Sequence, residues 1–360
     1  MDDRLDLDIQ RREAIEAELG RRALAHKRRV ARLKRGARLR AQTNKAATQQ
    51  PLDFLAIGDS WFDYPLNGNA PSFGSTAIIA QLTQLGSPPP LVLNYSLYGQ
   101  ATTSVLTYEN QQNIIDAVTD PSQWVNDAPD GILVSMGGDD LVGDQFAIYL
   151  DYEGSGLDAT RFQGALSSVR ASYLDLFALR DAVLPGKPVI GHCYDYAIPN
   201  GVAPVCAGPW LQPSLDFSGY DLAEGLAIVS SMIDGFYAMV SALAGDPGNN
   251  FVLVDTRGTL LRQSGVANGW ANELHPYPAG FTALAQRFMT ALPGLPSASV
   301  SARSSRRRSF VEVTGVVIEL SGCHRHLARN LVVNSAGARP SLAKIRSLVR
   351  RNRIPLCENQ

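Results

Sequence analysis

From residue 52 onward, short apolar runs alternate with longer segments of helical periodicity. The runs are LDFLAIG, LVLNYS, GILVSMG, KPVIGHCY and FVLVD, and each has the length of one strand. Helices are predicted between them at about 72–86, 101–119, 161–183 and 221–243, and a last one at about 279–291. Largely apolar strands that alternate with helices are typical of a parallel sheet covered on both faces. The sequence therefore predicts an α/β protein, a three-layer α/β/α sandwich with a parallel five-stranded sheet.

Charge divides the chain into three parts. Residues 1–50 hold 14 Lys and Arg against 7 Asp and Glu, and residues 301–360 hold 12 against 3. The segment between them holds 7 against 24, although the whole chain has a formal net charge of −1. We therefore predict a basic helical arm and linker at 1–50, a globular domain at 51–294 and a basic tail at 295–360. Both a disordered and a packed tail stay open.

The N-terminal arm carries one weakly apolar stripe at helical spacing. Its members are Ile15, Leu19, Ala23, His26, Val30, Leu33 and Ala37. Arg and Lys cover the other faces, and the favoured interpretation is a solvated helix. The alternative is a basic amphipathic helix that docks on an anionic membrane surface, on nucleic acid or on the acidic domain. Residues 21–45 contain no aromatic side chain, which argues against base stacking.

The sequence shows no pattern typical of export, of a membrane span or of a metal site. The opening MDDRLDLDIQRREAI is polar and acid-rich, and no uninterrupted apolar run approaches about 18 residues. The cysteines show no C-x-x-C spacing; they are Cys193, Cys206, Cys323 and Cys357. We therefore expect a cytoplasmic protein with free thiols. Cys323, His324 and His326 supply too few ligands for zinc, and neither a metal nor a cofactor is predicted.

Glycines and polar residues follow the ends of the predicted strands, where the active sites of parallel sheets lie. Ser60 follows the first run in Gly58-Asp59-Ser60 and is either a nucleophile or a helix N-cap, and these three residues alone favour the cap. Gly99, after the second run, presents a bare N–H or forms an ordinary turn. The third run leads into Gly137-Gly138-Asp139-Asp140, which suits a helix cap, a substrate contact or, less well, a metal.

A serine nucleophile requires a base, and the acidic domain contains two histidines. His192 lies in the fourth run, after KPVIG, and His275 lies in Asn272-Glu273-Leu274-His275-Pro276, before the last predicted helix. Either imidazole is able to reach Ser60 in such a sheet. A lone core histidine is more often structural, so neither one by itself identifies an active site.

Taken in order, these segments resemble the sequence blocks of the GDSL/SGNH hydrolase family. Gly58-Asp59-Ser60 resembles the first block, with Trp61 in place of the usual leucine, and Asn94 and Gly99 resemble the second. GGDD at 137–140 resembles the third, normally Gly-x-Asn-Asp, and NELH at 272–275 the last, normally Asp-x-x-His. The resemblance covers about 52–292 and looks like a bacterial branch of the family. It implies the flavodoxin-like SGNH hydrolase fold, here with basic N- and C-terminal extensions.

The resemblance also implies an activity and a role for each residue of these blocks. The family cleaves carboxylic esters, so Ser60 would attack the carbonyl of a small-molecule ester and form an acyl-enzyme. His275 would act as general base and then as acid, oriented by Asn272. The N–H groups of Ser60 and Gly99, with the side chain of Asp139, would form the oxyanion hole.

Two residues depart from the family pattern, and both departures affect catalysis. Asp139 replaces an asparagine, and an ionised carboxylate there would repel the oxyanion. Asn272 replaces the orienting aspartate, and a wrong imidazole tautomer costs ~10⁴ in rate in trypsin. A protonated Asp139 would still donate, and Asn272 Oδ1, a backbone carbonyl, Asp195 or Glu273 would orient His275.

We therefore predict a hydrolase with lowered or acid-shifted activity. Two alternatives stay open. One is a catalytically silent domain that binds an ester or a glycan without cleaving it. The other is an adaptor that acts through its basic arms.

The aromatic residues after Ser60 and one long loop are candidates for substrate contacts. Trp61, Phe62, Tyr64 and Pro65 either line an acyl pocket or pack against the sheet. Residues 197–220, rich in Pro and Gly, are predicted to form an ordered loop or lid around Trp210. His192 matches no family block and is assigned to the pocket or to the core. The predicted substrate-binding residues are Trp61, Phe62, His192 and Trp210.

Overall fold

The five predicted strands form one parallel sheet. The computed structural model describes residues 2–43, 49–64, 77–154, 156–204, 207–292, 310–313 and 316–319. The strands are β1 (Asp53–Gly58), β2 (Leu91–Asn94), β3 (Gly131–Ser135), β4 (Val189–His192) and β5 (Phe251–Val254). Their order in the sheet is β2-β1-β3-β4-β5, and every neighbouring pair is parallel. Because each strand leaves the sheet at the same edge, the residues that follow the strands lie together there.

Helices cover the sheet as the alternating pattern predicts. They are α1 (Asp2–Gln42), α2 (Ile78–Leu82), α3 (Thr102–Val105), α4 (Tyr108–Thr119), α5 (Ala159–Val183), α6 (Gln212–Phe217), α7 (Leu222–Ala244) and α8 (Pro278–Ala291). Helix α2 packs on α8, and α5 packs on α4 and α7. The predicted three-layer sandwich is therefore confirmed.

The burial of the strands explains their composition. All six residues of β1 and all five of β3 are buried, because both strands are central and have helices over both faces. The edge strands β2 and β5 each leave two residues partly exposed. The predicted helix at 101–119 is divided into α3 and α4, because Thr107 caps the second helix by accepting the Asn110 N–H.

Helix α7 is a core helix with a strongly apolar composition. Among the described residues it is the one helix long and apolar enough, by length and composition alone, to cross a membrane. Eight of its residues are buried, and it packs on β5 and α5. Asp221 and Glu224 form a capping box at its start, which satisfies two backbone N–H groups of the helix end.

The basic arm forms one long helix that lies beside the edge strand β2. Leu19, His26 and Val30 from its apolar stripe are buried. Lys27 and Lys34 pair with acidic side chains of the domain. This differs from the favoured expectation of a solvated helix, because the stripe meets an apolar surface and the lysines meet opposite charges. The predicted domain boundaries at residues 50 and 294 stay predictions.

Residues 298–360 form a separate unit. Two antiparallel strands are described in it, β6 (Phe310–Val313) and β7 (Val316–Glu319). Three cysteines and two histidines named in the sequence analysis lie outside the described residues: Cys206, Cys323, Cys357, His324 and His326.

Candidate active site

Ser60 lies in a single turn directly after β1, at the carboxyl edge of the sheet. The Asp59 carbonyl accepts the N–H groups of Phe62 and Asp63 at 3.1 and 3.2 Å, which closes the turn around Ser60. The next helix, α2, begins only at Ile78 and has Ala77 as its N-cap. Ser60 is therefore not the cap of that helix, and its hydroxyl is available for another partner.

Gly58 allows β1 to turn this closely beside β3. Its φ is 138°, a value that favours glycine, and a Cβ at this position would come within 2.0 Å of the Ser135 carbonyl oxygen. The Asp59 N–H donates to the same carbonyl at 2.9 Å. The glycine before Ser60 is thus required by the close approach of two strands.

The loop between β5 and α8 brings His275 to Ser60. His275 Nε2 lies 2.7 Å from Ser60 Oγ, which is a distance for proton transfer. On the other side of the ring, Asn272 Oδ1 lies 3.1 Å from His275 Nδ1. Tyr64 stacks on the imidazole, with ring centroids 3.8 Å apart and an interplanar angle of 8°. Ser60, His275 and Asn272 form one hydrogen-bonded chain.

The backbone of the His275 loop fixes the tautomer of the imidazole. The N–H groups of Leu274 and His275 donate to Asn272 Oδ1 at 3.0 and 2.9 Å, so the amide oxygen must lie at this position. Asn272 Nδ2 points away and donates to Tyr64 OH at 2.9 Å. An oxygen beside Nδ1 requires the proton on Nδ1, which leaves the Nε2 lone pair towards Ser60. The wrong-tautomer cost expected of Asn272 therefore does not arise.

Burial controls the charge of His275. The residue is 3% exposed, and the loss of hydration lowers the pKa of its imidazole to about 3. Well above that pH the ring is neutral and able to accept the Ser60 proton.

The two acids considered for orienting His275 hold backbone loops instead. The Asp195 carboxylate accepts N–H groups of Tyr196, Gly258 and Leu260. The Glu273 carboxylate accepts N–H groups of Gly201, Trp210, Leu211 and Gln212. Glu273 thereby ties the predicted 197–220 loop to the histidine loop and helps to hold Trp210 edge-on to His275, with centroids 5.7 Å apart.

A narrow cleft opens beside Ser60 and is lined mainly by apolar side chains. They include Trp61, Leu141, Val142, Leu211, Met232, Ile233 and Phe236. Asp139 also lines the cleft, and its Oδ2 atom is buried without a hydrogen-bond partner among the described residues. Burial and the neighbouring Asp140 raise the pKa of Asp139 to about 6, although the Gln100 backbone amide opposes the rise.

Gly99 lies in an exposed turn with a φ of 71°, next to Gln100. Within the described part of the chain, neither its N–H nor the N–H of Ser60 donates to another residue. Both donors are thus free to serve an oxyanion, as the family resemblance implies. Both roles stay predictions.

A second serine–histidine pair lies within the sheet. His192 Nε2 is 2.8 Å from Ser135 Oγ, so the two residues have the composition of a catalytic pair. The Tyr194 N–H donates to His192 Nδ1 at 3.1 Å, so Nε2 carries the proton and donates to Ser135. Ser135 in turn donates to Asp59. Protons therefore point away from His192, the reverse of what activates a serine, and both side chains are at most 1% exposed.

The predicted substrate-binding residues divide into two groups. Trp61 lines the cleft, and Trp210 lies beside His275. Phe62 and His192 are 0% and 1% exposed and pack against Phe288, away from the cleft lining. Pro65 lies outside the described residues.

Two contacts of the site were missed by the sequence analysis. Tyr194 OH donates to Asp59 Oδ2 and accepts the Gly138 N–H at 2.8 Å, which links the turn of Ser60 to that of Asp139. Tyr194 follows the carboxyl end of β4, and this position would have allowed the sequence to predict it as a residue of the site. Arg22 of α1 reaches Asp63 beside the Ser60 turn, and no local pattern distinguishes it from the other basic residues of the arm.

Comparison with known proteins found no matching family model and no match among curated proteins. The structural neighbours are GDSL/SGNH lipases and esterases at low identity over most of the chain. The lipase Lip_vut3 from a goat rumen metagenome is 18% identical, with a TM-score of 0.45, covering 68% of this chain and 98% of that one. An extracellular lipase from Streptomyces rimosus is 17% identical, with a TM-score of 0.42, covering 67% and 99%. A family 3 carbohydrate esterase from Clostridium thermocellum is 15% identical, with a TM-score of 0.36, covering 68% and 96%.

Proposed function

We propose that this chain is a serine hydrolase that cleaves carboxylic esters, with Ser60 as nucleophile and His275 as base. The observation that carries the proposal is the 2.7 Å contact between Ser60 Oγ and the unprotonated Nε2 of His275. Ser60 of this pair borders a cleft, whereas Ser135 and His192 are buried and carry their protons in the opposite direction.

The geometry suits a two-step acyl transfer. Ser60 Oγ attacks the ester carbonyl carbon while its proton moves to His275 Nε2. The carbonyl π electrons move onto the oxygen, which the N–H groups of Ser60 and Gly99 stabilise. When the intermediate collapses, the bond to the alcohol oxygen breaks and Nε2–H protonates that oxygen. Water then attacks the acyl-enzyme, gives its proton to Nε2, and the acid leaves as the proton returns to Ser60.

Labelling of the nucleophile tests this proposal. A fluorophosphonate should label Ser60 in the wild type, and Ser60→Ala should lose both the label and the hydrolysis of p-nitrophenyl acetate. Ser135→Ala is the matched control, because it removes the hydroxyl of the other serine–histidine pair. It should keep the label. Labelling that survives Ser60→Ala and disappears in folded Ser135→Ala would identify Ser135 as the nucleophile and would contradict the proposal.

The cleft favours a short acyl group. Its free space is about 50 Å³, and one water requires ~10–15 Å³ on this measure, so the space suits a few water-sized groups. We expect kcat/KM for p-nitrophenyl esters to fall roughly tenfold from acetyl to octanoyl, because a long chain must displace packed side chains. Initial rates along the acyl series measure this. Equal or rising values with chain length would show that the cleft opens.

A catalytically silent domain that binds an ester or a glycan is the second candidate function. It is supported by the buried, unpartnered Oδ2 of Asp139, since a charge there would repel an oxyanion. The fluorophosphonate experiment separates the two candidates, because a silent domain does not label. An anionic partner for the basic arms, and a cytoplasmic location, stay predictions.

A further inference from the structure

Helix α1 runs along the edge strand β2, from the carboxyl ends of the strands, where the candidate active site lies, to their amino ends. Arg22 contacts residues that follow β1 and β2, where the site lies. Lys34 contacts Pro121 and Asp127, in the connection that leads from α4 into β3. Twelve residues of helix span ~18 Å, close to the length of a six-residue strand. The helix thus contacts the loops at both ends of the strands, through Arg22 at one end and Lys34 at the other.

Among the described residues, Arg22 makes more hydrogen bonds to the domain than any other residue of α1. Its Nη2 donates to both carboxylate oxygens of Asp63 at 3.0 Å. Its Nη1 donates to the carbonyl oxygens of Ser96 at 3.0 Å and Asn94 at 3.4 Å. Its Nε donates to Glu18 of the same helix at 2.8 Å, which orients the guanidinium. One side chain therefore cross-links two separate loops.

Both loops carry groups of the proposed reaction. Asp63 is one of the two residues whose N–H groups close the turn around Ser60. Ser96 lies three residues before Gly99, the predicted second oxyanion donor. The Asn94 side chain adds a third link by donating to the Phe62 carbonyl at 3.0 Å. The position of the nucleophile relative to the Gly99 turn thus depends on these cross-links.

Leu19, one turn before Arg22, supports the same region. It is 9% exposed and lines a small hollow together with Gly58, Gln100 and the start of α4. Gly58 precedes the Ser60 turn, and Gln100 follows Gly99 and has its amide beside Asp139. Apolar packing and the Arg22 hydrogen bonds therefore converge on the same two loops.

We propose that Arg22 is a positioning residue, through which α1 holds the Ser60 turn and the Gly99 loop in their catalytic relation. This inference rests on the proposed function for its kinetic consequence. The guanidinium is suited to the task because the three nitrogens of its planar fork donate in fixed directions, Nη2 to the Asp63 carboxylate, Nη1 to the two carbonyls and Nε to Glu18. The side chains of Arg22 and Asp63 are 22% and 24% exposed, so solvent screens the pair only in part.

A kinetic comparison of Arg22→Met and Lys34→Met tests the proposal. Arg22→Met keeps the apolar stem and should lower kcat for p-nitrophenyl acetate roughly tenfold with little change in KM, because a misplaced nucleophile affects the transition state more than binding. Lys34→Met removes a docking contact at the far edge and should leave kcat within about twofold. Arg22→Lys keeps the charge without the fork and should be intermediate.

Hydrogen exchange supplies a readout that does not depend on activity. In Arg22→Met, amides of 59–63 and 94–100 should exchange faster, while those of α5 and α7 stay unchanged. Lys34→Met should leave the two loops as in the wild type. Equal exchange and equal kcat in Arg22→Met and Lys34→Met would overturn the positioning role. Wild-type enzyme without Ser60-dependent hydrolysis would defeat the proposed function, and the exchange result alone would then decide for or against the role of Arg22.

Discussion

Asp139→Asn should raise ester hydrolysis near pH 8 by up to ~10²-fold, the lower value for one oxyanion donor, and change it little near pH 5. The carboxyl group of Asp139 has a pKa of about 6 and lines the cleft beside Ser60. Below that pH the group is neutral and able to donate a hydrogen bond, and above it the charge opposes the oxyanion. A carboxamide donates at every pH, so the activity of the variant should not fall as the pH rises above 6, whereas that of the wild type should.

The direction of the wild-type pH profile follows from the groups that face Asp139. Asp140 adds negative charge, the Gln100 amide favours the ionised form, and burial together with the charge of Asp139 raises the pKa of the neighbouring Asp59 to about 8. Activity should rise as pH falls through about 6, because Asp139 gains its proton. It should fall again only near the His275 pKa of about 3, where the base becomes protonated. The wild type is therefore expected to be an acid-range hydrolase.

Asp140→Asn is the matched control for this experiment. The Asp140 carboxylate accepts the N–H and the hydroxyl of Thr102 at 2.9 and 2.7 Å. The side-chain amide of Asp140→Asn would face Thr102 in the same way and would offer no donor to the cleft. Removing the charge of Asp140 should move the decline to slightly lower pH without abolishing it. Rates from about pH 3 to pH 9 with p-nitrophenyl acetate, corrected for spontaneous hydrolysis, provide the comparison. A wild-type profile that plateaus above pH 6, or an unchanged profile in Asp139→Asn, would exclude Asp139 as a donor.

Asn272→Asp should raise kcat by about 5- to 30-fold and move the acidic limb of the profile to higher pH. Asn272 Oδ1 already holds the correct tautomer, so the gain comes from charge alone. A hydrogen bond to a charged group is worth about 1–2 kcal/mol more than a neutral one, and each 1.36 kcal/mol is about tenfold. The carboxylate also stabilises the protonated imidazole, which raises the His275 pKa.

Tyr64 decides whether the substituted carboxylate fits. In the wild type Tyr64 OH accepts from Asn272 Nδ2, and beside a carboxylate the hydroxyl must turn and donate. Asn272→Ala is the control that removes the acceptor, and it should lower kcat because His275 loses its orientation. If Asn272→Asp is no faster than the wild type while Asn272→Ala is slower, a charge at residue 272 does not affect the rate. Residue 272 would then act only by orienting His275.

The fold was largely predictable because its signal is local. The apolar runs have the length and composition of buried strands, and parallel connection follows from the helices between them. The candidate site was predictable to the extent that its residues follow strand ends, as Ser60 and Asp139 do. The stacking of Tyr64 and the clamps of Asp195 and Glu273 were not, because they join segments far apart in the chain.

The amino-acid composition of helix α1 does not show which anionic surface the helix contacts. Its charge pattern predicts attraction to anions, and the acidic domain of the same chain is one such anion. Charge alone does not distinguish a lipid, a nucleic acid and a protein surface. The selection of Arg22 among many basic residues depends on the place where β1 and β2 leave the sheet.

The strand–helix alternation, and the serine and histidine residues that follow strand ends, can be read from the amino-acid sequence. Which serine pairs with which histidine in a usable direction depends on the folded chain. Two such pairs lie among the described residues, and they differ in the backbone N–H groups around them. The Leu274 and His275 amides hold Asn272 Oδ1 against Nδ1 of one ring, and the Tyr194 amide donates to Nδ1 of the other. A tautomer is set by hydrogen-bond geometry, and that geometry is formed only when distant segments fold together.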